Sequence, residues 1–153
     1  MRRLATLVAG LLVLATLLAT PAAASAAQTG QNCSFPVTMT DATGTEVTLE
    51  ERPDRVVTTN PSAAQTMWEI GGRDQVVGLT QYASYLDGAQ SRTNVSASFG
   101  VSRETVAGTN PDLVIAPNAS AGEVEGLRDA GLTVYHLREA KTGDDIAANT
   151  TTI

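Results

Sequence analysis

"VVTTNPSAAQTMWEIGG", Val56 to Gly72, sets a β-branched run directly against a short apolar helical pattern. Val56–Thr59 reads as a buried strand, because Val and Thr suit a pleated, enclosed surface. Ala63–Ile70 reads as a helix that Gly71-Gly72 end. Asn60-Pro61-Ser62 lies between them and leaves almost no linker. In an open α/β sheet, ligands bind outside the carboxyl ends of the strands. A helix start there offers backbone N–H groups and a partial positive charge, which suit anionic or oxygen-rich ligands. The plainer role for this turn is a connector in which Ser62 caps the helix.

The rest of the chain repeats the pattern. Apolar runs at Val76–Leu79, Leu113–Ala116 and Thr133–Leu137 alternate with helical stretches. Ser120 and Glu123 are spaced as a capping box before "VEGLRDA", which Gly131 ends, and Thr142 or Asp144 can open "DDIAANTTTI". Strand–helix alternation with short connections predicts parallel βαβ units, hence an α/β fold with a Rossmann-like sheet and flanking helices. "PVTMTDATGTEVTL" alternates with period two around a turn at Asp41 to Gly44, so a β-hairpin precedes the sheet. The connection 80–112 is long, rich in Ser, Gly, Tyr and Asn, and holds at most one short helix, Arg103–Ala107. Such segments in compact domains are usually either functional or disordered. With Tyr82, Tyr85 and Phe99 available to pack, it is expected as an ordered loop over the top of the sheet.

The predicted strand ends are Asn60-Pro61-Ser62, Thr80-Gln81-Tyr82, Pro117-Asn118-Ala119-Ser120 and Arg138. Together they form a candidate ligand face rather than a catalytic one. Ser62 and Ser120 lack a G-x-S-x-G context, and the single His136 sits inside a strand pattern. A small secreted α/β hydrolase using Ser62 or Ser120 is therefore the weaker reading. Glu123 and Glu125 fall on a predicted helix, where carboxylates ordinarily face solvent.

Composition narrows the classes. With 42% hydrophobic and 17% charged residues, the chain of 153 has the balance of an ordinary globular protein. A net charge of −6 is the wrong sign for a phosphate-backbone binder, and 4% aromatics supply no stacking platform for single strands. Lys141 is the one lysine, and an acidic, lysine-poor surface rich in Ala, Thr and Val suits solubility in high salt. One Cys, Cys33, excludes a disulfide within the chain, and one His excludes a multi-histidine metal site. No cofactor is expected. Asn32, Asn94, Asn118 and Asn149 head N-x-S or N-x-T tripeptides, which permit glycosylation outside a cell.

The order of motifs is similar to a known family. The hairpin "VTMTDATGTEVTL", then "PDRVVTTNPSAAQTMWEIGGRDQVVGLTQYASY", "NPDLVIAPNAS", "VEGLRDAGLTVYHL" and "TGDDI" resemble the N-terminal lobe of the iron-siderophore and cobalamin substrate-binding proteins of ABC importers. The resemblance runs from about Val37 to Ile153. It implies two α/β lobes joined by a long helix, with a ferric siderophore, cobalamin or haem-like compound held between them and delivered to a membrane permease. On that reading residues 27–36 are a linker, 37–141 the ligand-binding lobe with its hairpin, and 142–153 the start of a truncated interlobe helix in a fragment. Asn60, Pro61, Ser62, Gln81, Tyr82, Phe99 and Asn118 would contact the ligand. Tyr82 and Phe99 offer flat apolar surface, and Asn60, Ser62 and Asn118 offer hydrogen bonds. Glu123 corresponds to the family's acidic contact with the permease. Gln65 stands where relatives usually carry Glu. The alternative to an importer component is a stand-alone secreted interaction or sensor module.

The N-terminus reads as a leader. Arg2 and Arg3 precede the apolar run Leu4–Thr20, and Pro21 with "AAASAA" supplies a breaker and small residues around an A-x-A site. Residues 1–26 are thus expected to be a signal peptide, whose loss removes two cations and takes the net charge from −6 to −8. Mass spectrometry of exported protein should place the mature N-terminus near Ala27 or Gln28. Retention of Met1 to Thr20 would overturn that expectation.

Overall fold

The computed structural model describes residues 34–153. The expected signal peptide, most of the linker, Asn32 and Cys33 lie outside the described residues. The hairpin forms as expected, with strands β1 (Val37–Thr40) and β2 (Glu46–Leu49) pairing antiparallel in a register that sets Val37 opposite Leu49 and Thr40 opposite Glu46. The outward Thr38 and Thr48 hydroxyls share a 2.8 Å hydrogen bond across the ribbon.

Five parallel strands follow: β3 (Val56–Thr58), β4 (Val76–Leu79), β5 (Thr93–Asn94), β6 (Leu113–Ala116) and β7 (Val134–His136). Their order is β5-β4-β3-β6-β7. Among the described residues four α-helices accompany them: α1 (Pro61–Glu69), α2 (Arg103–Gly108), α3 (Ala121–Asp129) and α4 (Gly143–Thr152). Strands buried on both faces read as continuous apolar runs, and alternate residues divide between two cores. Val56, Leu113 and Ile115 pack with Ala63, Ala64 and Met67 of α1. Val57, Val114 and Ala116 pack on the other face with Val106 of α2 and Val124 and Leu127 of α3. The amino edge is closed by polar ties. Asp112 Oδ2 accepts the N–H groups of Asp54 and Arg55, both at 2.9 Å, and Arg55 Nε donates to the Asn110 carbonyl at 2.9 Å.

The helix starts differ from expectation. Asn60, not Ser62, caps α1: its Oδ1 accepts the Ser62 N–H at 3.0 Å, and Pro61 fills the first helical position, where a missing N–H costs nothing. Helix α1 therefore begins two residues earlier than Ala63. Ser120 and Glu123 do not form a capping box. The Ser120 hydroxyl is buried and donates instead to the Thr59 carbonyl at 3.4 Å. Thr142 does cap α4, in a reciprocal box with Asp145.

The long connection is a second correction. Rather than only crossing the sheet's top, it winds through 3₁₀ turns at Gln81–Ala83 and Ala89–Ser91 and adds the edge strand β5, paired in parallel with β4. Small and aliphatic residues anchor it: Ala83, Leu86, Ala89, Val95 and Val101 are buried. Tyr82, Tyr85 and Phe99, expected to pack, are 68%, 61% and 95% exposed.

One buried carboxylate ties the hairpin to the sheet. Asp41 accepts hydrogen bonds from the Thr43 N–H (2.8 Å), the Thr43 hydroxyl (2.6 Å), the Thr45 N–H (3.1 Å) and the His136 N–H (3.1 Å), and it pairs with the Arg128 guanidinium of α3. Burial opposes ionisation, but these donors, led by the Thr43 hydroxyl, outweigh it and lower the pKa from 3.8 to about 2. A depressed folded-state pKa gives stability that is present above the unfolded value and lost as pH falls through the folded one. Denaturant titrations should therefore show a loss of about 2 kcal/mol between roughly pH 4 and pH 2. Asp41→Asn should flatten that part of the profile; an unchanged slope would show that Asp41 is not its source.

Candidate functional site

The strand order reverses direction at the centre of the sheet. From β3 the chain moves by α1 to β4 and outward to β5, then returns to β6 on the other side and continues by α3 to β7. The connections leaving β3 and β6 thus diverge from neighbouring strands, and such a switch point opens a crevice at the carboxyl edge. Asn60-Pro61-Ser62 and Pro117-Asn118-Ala119-Ser120 flank it, with Gln81 and Tyr82 beside them after β4. Of the residues expected to contact a ligand, the structure brings Asn60, Pro61, Ser62, Gln81, Tyr82 and Asn118 to the ends of three adjacent strands.

Their chemistry differs in detail. The Asn60 Oδ1 is already used, accepting both the Ser62 N–H and the Ser62 hydroxyl at 3.0 Å, so Asn60 faces solvent chiefly through its NH₂ donors. The Gln81 N–H donates to Ser96 Oγ at 2.9 Å, while its side chain is exposed. Asn118 is exposed at the start of a 3₁₀ turn. Ser120 and Thr59 are internal: Thr59 N–H and hydroxyl both reach the Ile115 carbonyl, at 3.1 and 3.4 Å, and Ser120 closes the same seam. His136 is buried with Nδ1 against the Ala116 carbonyl at 2.8 Å. The hydrogen bonds of Ser62, Ser120 and His136 thus give neither serine a histidine base.

Phe99 lies apart from that row. It tips a small turn closed by the Ser96–Val101 bridge, beyond β5, and stands beside a hollow of about 260 Å³ that Arg103, Gly122 and Glu123 also line. The fold thereby joins two residues given different roles, Phe99 and Glu123. Glu123 is half-buried, and its Oε2 is enclosed without a hydrogen-bond partner. Burial pushes its carboxyl pKa up, with the Val101 N–H pulling against it. A second hollow, about 200 Å³, lies at the carboxyl end of β7 between Leu137, Arg138 and Asn149 of α4. Sequence reasoning missed it, because it exists only where α4 folds back and Asn149 Nδ2 donates to the Arg138 carbonyl at 3.0 Å.

Gly100 permits the Glu123 contact: its φ is +65°, and a Cβ there would collide with Glu123 Oε1. Gly100→Ala should cost at least about 1–2 kcal/mol from the left-handed backbone alone, read as a lower melting temperature. Glu123→Gln should act oppositely. A raised folded-state pKa means stability lost as pH rises, so removing the charge should raise the melting temperature near neutral pH. That gain should vanish at pH values where Glu123 itself is protonated. A destabilised Gln variant at neutral pH would contradict this environment for Glu123.

Comparison with known proteins agrees with the geometry. Residues 56–153 match the family described as "Periplasmic binding protein". The chain is 47% identical over 161 aligned positions, 99% of its length, to a Halobacterium salinarum protein named "Cobalamin-binding protein" and covers 43% of that protein. It is 33% identical, over 73% of its length, to the Bacillus subtilis "Uncharacterized ABC transporter substrate-binding lipoprotein YvrC", covering 37% of it. Its fold matches the crystal structure of heme binding protein HmuT with a TM-score of 0.65 at 23% identity, over 78% of this chain and 41% of that one. The chain spans about two fifths of the length of these relatives. With the family match over most of its length and the resemblance to both relatives, the chain belongs to the periplasmic binding protein family.

Proposed function

We propose that this chain is the ligand-binding lobe of an exported substrate-binding component of an ABC importer. It captures cobalamin, a haem-like compound or a ferric siderophore outside the membrane and delivers it to the permease. The observation that carries this reading is the pairing, on one sheet edge, of the exposed ring of Tyr82 with the polar side chains of Asn60, Gln81 and Asn118. A planar macrocycle with polar substituents needs that combination: a flat apolar face, and hydrogen-bonding groups around it. The name of the Halobacterium relative supports the ligand class, and that of the Bacillus relative supports the transport role.

On this reading 37–141 form the lobe and α4 begins the helix that leads to a second lobe on the other side of the ligand. Glu123, held at the start of α3, is the acidic contact for a permease arginine; a carboxylate kept in a half-buried site at a cost in stability suits a functional role. Phe99 borders that same hollow and would touch either the ligand's rim or the permease.

Absorbance titration of the chain with cyanocobalamin and with hemin tests the ligand face. Tyr82→Ala should weaken binding by about 1–3 kcal/mol, the usual worth of a buried aromatic contact. Its melting temperature should stay close to that of the unaltered chain, since the ring is 68% exposed. An unchanged Kd with a lowered melting temperature would make Tyr82 structural and overturn the assignment.

A further inference from the structure

The segment after β4 turns with a period of three. Ala83 N–H donates to the Thr80 carbonyl (2.9 Å), Ser84 to Gln81 (3.2 Å), Leu86 to Ala83 (3.1 Å) and Ala89 to Leu86 (3.1 Å). In such tight turns residues i and i+3 eclipse one another. Ala83, Leu86 and Ala89 accordingly share the buried side. Tyr82 and Tyr85, also three apart, share the side that faces solvent, 68% and 61% exposed.

Tyr85 is not a loose surface residue. Its hydroxyl donates to Oε1 of Gln65, in the second turn of α1, at 2.8 Å. Trp68, one turn further along α1, donates Nε1–H to the Asp87 carbonyl at 2.9 Å. The segment is thus fastened to α1 on both sides of Leu86. An exposed aromatic ring already fixed in place loses little side-chain freedom when it binds. Gln65 uses its oxygen on Tyr85 and keeps two N–H donors for another acceptor. It is itself exposed.

We infer that Tyr85 is a second aromatic contact of the ligand face, positioned by Gln65. Its ligand is a planar ring system whose edge carries carboxamide or carboxylate oxygens. This inference rests on the reading of Tyr82 as a ligand contact. Tyr82 and Tyr85 both expose a ring on the solvent side of this segment, and the Gln65 amide, bonded to the Tyr85 hydroxyl, would meet the oxygens at the ligand's border. A neutral amide there accepts either a charged or an uncharged edge group, where a carboxylate would repel the former.

The test uses the chain with cyanocobalamin and hemin as probes, and the variants Tyr82→Ala, Tyr85→Ala, Tyr85→Phe, Gln65→Ala and the double Gln65→Ala/Tyr85→Phe. Tyr85→Ala should weaken binding of at least one probe by about tenfold. Tyr85→Phe should weaken it severalfold by freeing the ring, and Gln65→Ala by at least about fivefold, because it also removes the amide's own hydrogen bond to the ligand, both with melting temperatures close to the unaltered chain's. The double variant should bind no worse than the weaker single one, because both changes remove the same bond. Additive losses, or full affinity in Tyr85→Phe and Gln65→Ala, would overturn the positioning role. Full affinity in Tyr85→Ala while Tyr82→Ala loses binding would overturn this inference alone. Binding of neither probe by the unaltered chain would overturn it together with the reading on which it rests.

Discussion

A parallel sheet must be covered on both faces, and that constraint governs everything else in this fold. Most strands are followed by a helix that lies on one face or the other. Here α1 covers the face built on Val56, Leu113 and Ile115, and α2 and α3 cover the face built on Val57, Val114 and Ala116. To place helices on both sides, the chain must leave the central strand in one direction and later resume from its neighbour in the other. The divergence of the β3 and β6 connections follows, and with it a crevice edged by Asn60 and Asn118. The candidate site is therefore a consequence of burying apolar surface twice.

The two edges of the sheet show a division of labour. At the amino edge, Asp112 and Arg55 consume backbone donors and acceptors and leave a closed surface. At the carboxyl edge, the seam between β3 and β6 is closed from within by Thr59 and Ser120, while in the outer row Asn60 caps α1 and Gln81 and Asn118 keep exposed side chains. The leading hairpin belongs to neither edge. It is fixed by Asp41, whose carboxylate gathers donors from its own turn, from β7 and from Arg128 of α3. A buried carboxylate with that many donors stays ionised despite desolvation.

The connection 80–112 shows how exposure can be built rather than suffered. Its apolar anchors are small, Ala83 and Ala89 with Leu86 between them, so the backbone lies close to the core and the larger tyrosines are turned outward. Glu123 presents a comparable case on the opposite face, where the Gly100 turn closes over a carboxylate that burial disfavours. In both places local cost or lost burial is concentrated beside the edge where a ligand or partner would arrive, as expected where structure serves recognition.

What the sequence by itself determined was the alternation of short apolar runs and helical stretches, and hence the hairpin, four of the strands, the helices and the polar strand ends. Period and punctuation are local signals, and the residues that carry them, such as Val56–Thr58 or Leu113–Ala116, act through their own neighbours in the chain. The motif order carried the family in the same way. Tertiary structure decided the rest. The edge strand β5 has two residues, Thr93 and Asn94, and no pattern of its own; it exists because β4 offers unpaired backbone groups beside it. The choice of Asn60 over Ser62 as a cap, and the use of Ser120 as a seam, depend on which side chain the packed sheet leaves facing outward. The exposure of Tyr82, Tyr85 and Phe99 could not be read from their hydrophobicity, because burial belongs to the surface that meets a residue, and the sheet was already covered by smaller ones.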